Sequence, residues 1–268
     1  MYAMKRSQYL FLVLVFSFFM YNACTVNNVT IKDEIGEVFA TNNVTGTFGM
    51  FDNSRGGFTI YDLDRFKKGY PPGQTFNIIT ALIGLHVGRV SEDSSIITVT
   101  DTSSVPPMSV YDAFHQSSSD HVRALAKMIG MDTIKYWVDS VKYGNKKIEK
   151  ANAAYWQNDS LSISADEQLG LIKRLYFRQH PFMASVQESV KKMIIVENNA
   201  GYQLAYQLGV VQQHGKQLGW VVGWMEENRH VYPFVMNFDA EAGVDTKEVG
   251  VKLAKEILLS VGFFKGRM

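Results

Sequence analysis

A single cysteine, Cys24, stands among 268 residues, so no intrachain disulfide can staple the chain. An excess of charge of one sign is also missing, since 27 basic residues face 26 acidic ones. Two of the basic residues, Lys5 and Arg6, fall in an acid-free leader, and the rest of the chain offers no electrostatic footprint for nucleic acid. The histidines at 86, 115, 121, 180, 214 and 230 show neither His-Glu-x-x-His spacing nor paired carboxylates. That argues against a metal enzyme, and the sequence predicts no cofactor.

What is present is apolar mass. Hydrophobic residues make up 46% of the chain and aromatics 13%, enough for one sizeable core or two tightly joined lobes. One apolar run, Tyr9 to Met20, follows the basic flank Met1 to Arg6 and leads to the small residue Ala23. This is the layout of an export signal, expected over residues 1–23, and the run is short for a transmembrane helix. Cys24 then resembles the lipid-acceptor cysteine of bacterial lipoproteins, although Tyr21 stands where that signal usually has Leu. Lipidation would hold the protein in the cell envelope, facing the periplasm, on a membrane anchor of several acyl chains. The alternative is an ordinary cleaved signal. Residues 24–45 read as a polar tether, and 46–268 as one domain.

The domain is organised around Tyr70-Pro71-Pro72-Gly73-Gln74-Thr75-Phe76-Asn77 and the run Ile78 to Gly88. Apolar residues at Phe76, Ile79 and Ile83, and at Ile78, Leu82 and Leu85, leave little helix surface for solvent, which predicts a turn feeding a buried helix. Before it, Gly46 to Asp52, a turn at Asn53 to Gly57, and Phe58 to Asp62 read as a β-hairpin. After it, Val90 to Met108 reads as a loop, and helices are expected at Val122–Ile129 and Thr133–Lys142. Ser119 and Asp120 are suited to cap the first of these. Ser164-x-x-Glu167 is a capping box opening another helix, followed by one over Phe182–Ile194. Strands are expected over Tyr202–Val210, Gly219–Met225 and Val231–Phe238, then a helix over Lys247–Ser260.

The segment Pro72-Gly73-Gln74-Thr75-Phe76-Asn77-Ile78 with Leu82-Ile83-Gly84-Leu85 resembles the nucleophile segment of class D serine β-lactamases and penicillin-binding transpeptidases, with Gln74 in place of the Ser and Asn77 in place of the Lys. Further landmarks follow in order: the Gly46-Thr47-Phe48 hairpin, Ser117 where the family has Ser-x-Val, Tyr143-Gly144-Asn145, the pair Tyr155-Trp156, and Gly219-Trp220-Val221-Val222-Gly223-Trp224. Ungapped counting back from Gly219 places the family's Lys-Thr-Gly motif at Gln207-Leu208-Gly209, and alignment to Lys255-Glu256-Ile257-Leu258 places its carboxylate-holding Arg near Gly250. The resemblance implies an α/β (α+β) serine β-lactamase-like fold, an antiparallel sheet built from both ends of the chain with a helical lobe inserted.

It also implies a site that has lost its charges. A carboxamide has no useful pKa near neutrality and no nucleophilic oxygen, so Gln74 cannot attack a carbonyl and Asn77 cannot activate it. Gln74, Asn77, Ser117, Trp156, Gln207 and Gly209 are expected to line a polar, uncharged cleft, with Thr75, Leu208 and Gly250 at binding positions. The leading expectation is a non-catalytic, binding or scaffolding lipoprotein with a cell-wall or peptide-like ligand; its oligomeric state is open. The alternative is a hydrolase using Thr75 or Ser117 as nucleophile and His115 or His121 as base.

Overall fold

The computed structural model describes residues 28–100, 104–148, 155–158, 160–213 and 215–264. The expected signal peptide and Cys24 lie outside the described residues. Seven strands form the frame: β1 (Val29–Ile31), β2 (Thr45–Asp52), β3 (Gly57–Tyr61), β4 (Ile195–Asn198), β5 (Tyr202–Gln213), β6 (Lys216–Glu227) and β7 (His230–Glu241). Their spatial order is β1-β3-β2-β7-β6-β5-β4. Only β1 on β3 is parallel; the other pairs are antiparallel. The two ends of the chain meet where β2 pairs with β7, Gly49 opposite Val235, and the helices between them in sequence form the inserted lobe.

Period-two alternation makes β6 the partition of the molecule. Leu218, Trp220, Val222 and Trp224 face the helical lobe, while Val221 and Met225 face a second apolar cluster on the opposite side. That second side is covered by the C-terminal helix Thr246–Ser260, which contributes Leu253, Ala254, Ile257 and Leu258.

The tether expectation fails over residues 29–41. Val29, Thr30 and Ile31 pair with Phe58, Thr59 and Ile60, and a helix over Ile35–Thr41 buries Ile35 and Phe39 in the second cluster. Two apolar residues four apart suffice to dock one helix face, and the polar residues around them mask the pattern. The loop expected at Val90–Met108 holds a two-residue strand, Ile96–Ile97, paired with Met108–Ser109. The capping box is present: Ser164 Oγ accepts from Glu167 N, and the Glu167 carboxylate accepts from Ser164 N.

The organising segment is a 3-10 turn, Gly73–Phe76, running into helix Asn77–His86, whose residues before His86 are all buried. Trp220 Nε1 donates to the Pro71 carbonyl at 2.8 Å and ties the turn to the sheet. Phe76 is fully buried, with Tyr143 and Tyr155 edge-on at 5.2 and 5.5 Å and Trp156 stacked at 6.0 Å. Gly144 makes the Tyr143 approach possible: at φ 49° it lies against the Ser162 carbonyl, where a Cβ would collide.

Candidate functional site

The 3-10 turn lies on the free edge of β5, beyond the end of β4. Gly209 allows this contact, since a Cβ there would stand 3.0 Å from the Pro72 carbonyl and 3.1 Å from Thr75 N. The next residue, Val210, aims its N–H at the side chain of residue 74. A strand N–H pointing at a nucleophile position is what an acyl-transfer site uses to hold a developing oxyanion. In this chain the donor is occupied: Val210 N donates to Gln74 Oε1 at 2.7 Å. The other half of the amide, Gln74 Nε2, donates to Ser119 Oγ at 3.3 Å, and Gln157 Nε2 donates to the same oxygen at 3.3 Å.

Ser117 connects to the third motif position. Gln207 Nε2 donates to Ser117 Oγ at 3.0 Å and to the Leu208 carbonyl at 3.2 Å. All these partners of Gln74, Ser117, Ser119 and Gln207 are neutral hydroxyl, amide or backbone groups, so the network has no base to remove a proton and no cation to hold a carboxylate. Asn77 lies deeper, 2% exposed, and its Nδ2 has no partner among the described residues. The same is true of Trp156 Nε1 and the Tyr155 hydroxyl, and burial raises the pKa of the Tyr143 and Tyr155 phenols. A buried unmade donor costs about 1–3 kcal/mol, so the floor of the site is polar and poorly satisfied.

The structure thus joins Gln74 to Ser119, and Ser117 to Gln207, and sets Gly209 against Thr75. It separates the remaining candidates. Thr75 is buried, its hydroxyl donating to the Pro72 carbonyl at 2.6 Å and accepting from Gln168 Nε2 at 2.8 Å. Trp156 is a core residue. Leu208 pairs with Val221 and packs with the second cluster, and Gly250 lies beside Val221 and Phe238 in the same contact; both sit across the sheet from Gln74. Among the described residues, neither Thr75 nor Ser117 hydrogen-bonds a histidine. His115 lies tilted against Tyr111 with ring centroids 4.3 Å apart, and His121 serves a different serine.

The serine triplet corrects the capping expectation. The helix begins at Ser119, its cap position is Ser118, and no side chain caps it. Ser119 faces the amides, and Asp120 pairs with Arg123 at 3.3 Å. Sequence reasoning also missed Gln157, which directly follows the Tyr155-Trp156 landmark, and Lys247. The exposed Lys247 ammonium comes within 3.5 Å of the Gln116 carbonyl and puts a positive charge at the rim of a site expected to be uncharged.

This fold, with a strand edge set against a turn that opens a buried helix, is that of the serine acyl-transfer proteins. The chain belongs to the penicillin-binding protein transpeptidase domain family, whose model matches residues 36–259. Among curated relatives, probable β-lactamase YbxI of Bacillus subtilis is 28% identical over 86% of this chain and 85% of its own length. The regulatory protein BlaR1 of Bacillus licheniformis is 27% identical over 84% of this chain, which spans 37% of that longer protein. The solved C-terminal domain of the B. licheniformis BlaR penicillin receptor superposes with a TM-score of 0.82 at 26% identity, covering 88% of this chain and 97% of that one. The class D β-lactamase FUS-1 from Fusobacterium nucleatum subsp. polymorphum does so with a TM-score of 0.82 at 26% identity, over 88% of this chain and all of that one. The class D serine β-lactamase-like fold expected from the motifs is therefore the fold of this chain.

Proposed function

We propose that this protein is a class D β-lactamase-like lipoprotein of the cell envelope whose family cleft binds or scaffolds and does not acylate. The observation that carries the reading is the Gln74 carboxamide, which stands at the nucleophile position and itself accepts the Val210 N–H. A substrate carbonyl would have to displace that amide to reach the donor, and on arrival it would meet no nucleophile at residue 74. Groups that act as a unit in catalysis are not rescued by the members that remain, so Ser117 and Gly209 alone do not restore acylation. The hydroxyl and carboxamide partners suit a neutral or peptide-like ligand. The likeness to a penicillin-receptor domain supports a binding role, since a protein of this fold is described there as a receptor. For localisation, the export layout before Cys24 supports anchoring on the periplasmic side.

The test uses the chain from residue 25 onward, incubated with a fluorescent penicillin, denatured, and weighed intact. The expected result is an unmodified mass and no turnover of a chromogenic cephalosporin. A covalent penicillin adduct mapped to Thr75 or Ser117 would overturn the reading.

A further inference from the structure

Between the helices Val110–His115 and Ser119–Ile129 the chain turns on Ser117, which holds φ at 52°. Left-handed backbone at a non-glycine residue is strained and is retained where the surroundings demand it. Here it fans three consecutive serines in three directions. Ser117 meets Gln207, Ser119 meets Gln74 and Gln157, and Ser118 turns to His121, its Oγ 2.8 Å from Nδ1. The other ring nitrogen, Nε2, lies 2.9 Å from the Pro106 carbonyl. A carbonyl only accepts, so in the neutral ring Nε2 carries the proton and Nδ1 is the bare nitrogen that accepts from the Ser118 hydroxyl. A nucleophile, a base and a third group that fixes the base's tautomer are thereby in line.

The helix terminus supplies the remaining component. A serine at the cap position ordinarily spends its oxygen on a first-turn N–H. Ser118 does not, and the first N–H groups of a helix have no partner within the helix itself. The N–H directly following a nucleophilic serine is a donor to its oxyanion. His121 is 1% exposed and so shielded from bulk water, while Ser118 is partly open to solvent.

We propose that Ser118 and His121 form a second, independent nucleophilic site that hydrolyses carboxylic esters of short acyl groups. It goes beyond the reading of the family cleft, because it uses neither residue 74 nor residue 77. Ser118 Oγ adds to the ester carbonyl as its proton passes to His121 Nδ1, and the oxyanion faces the Ser119 N–H. The carbon–oxygen bond to the alcohol breaks, and His121 returns the proton to the departing alkoxide. Water then attacks the acyl carbon, giving its proton to the same nitrogen; the bond from that carbon to Ser118 Oγ breaks, His121 passes the proton to Oγ, and the acid leaves with serine and neutral imidazole restored. The limited exposure of Ser118 restricts the acyl group to a short one.

The experiment incubates the full chain with a fluorophosphonate, maps the adduct by peptide mass, and follows p-nitrophenyl acetate turnover. The expected result is phosphonylation of Ser118, abolished in Ser118→Ala and retained in Ser140→Ala, a serine outside both sites whose hydroxyl donates to the Tyr136 carbonyl. His121→Asn slows both labelling and turnover about 100-fold or more, the range of general-base catalysis. Should His121→Asn fail to fold, the loss of burst-phase acetylation in Ser118→Ala carries the decision. No adduct, an adduct on another residue, or a labelling rate unchanged in a folded His121→Asn would overturn the proposal. A penicillin adduct at Thr75 or Ser117 would sink the reading of the family cleft and leave this one standing.

Discussion

Replacing Phe76 with alanine lowers stability by about 3–5 kcal/mol, the range for removing a fully buried phenylalanine. The ring is the hub on which Tyr143, Tyr155 and Trp156 converge, and none of the three can collapse into the space freely. Tyr143 is fixed by the close approach at Gly144, and Trp156 is held in a turn that also positions Gln157. The cavity therefore stays largely open, which places the cost toward the upper end. Urea unfolding followed by tryptophan fluorescence reads the effect as a lower midpoint at unchanged slope. Because Phe76 directly follows Thr75 and precedes Asn77, the same variant loosens the Gln74 to Ser119 bond, and a loss under about 1 kcal/mol would show that the hub is not what holds the turn.

Acidification produces the second large effect, through His180. Burial is the main cause that lowers its pKa to about 4; the bond from Nε2 to the Leu171 carbonyl opposes the shift and Arg174 adds to it. The unfolded chain takes up this proton near pH 6.5 and the folded chain does not until about pH 4. The unfolded state thus binds more protons over that window, so stability is full above pH 6.5, falls as pH drops toward 4, and gains no further loss from this group below it. The total is about 3 kcal/mol. His180→Gln should flatten the pH dependence of the unfolding midpoint across this window, whereas an unchanged slope would assign the acid sensitivity to other groups.

Much of the fold was legible because it is written in periodicities that a sequence displays. Trp220, Val222 and Trp224 alternate with Val221 and Met225, the Ser164 and Glu167 spacing announces a helix start, and the apolar repeats from Phe76 to Leu85 require burial. The strand and helix at residues 29–41 were illegible for the complementary reason. A three-residue strand has no period to read, and its stabilisation comes from pairing with Phe58 to Ile60, a long-range event. In the site, the replacements at residues 74 and 77 were plain, but their consequences were not. No local pattern reveals that an amide at residue 74 reaches the N–H of Val210, or that Gly250 and Leu208 face away from it. Ser118 at the cap position and His121 in the first turn, a cap-to-third-residue spacing, were within reach of sequence reasoning. A left-handed Ser117 was not, and it is what sends neighbouring serines to different partners.

The Gln74 to Val210 bond has a mechanical side as well. It spans the seam between the helical lobe and the sheet, joining a turn before the buried helix to a strand edge 136 positions later in the chain. A donor left vacant there would let the two halves breathe and admit an incoming group. Filled from within, it acts as a crossbar, and any occupant of the seam must first pry the lobes apart against a bond the protein makes with itself.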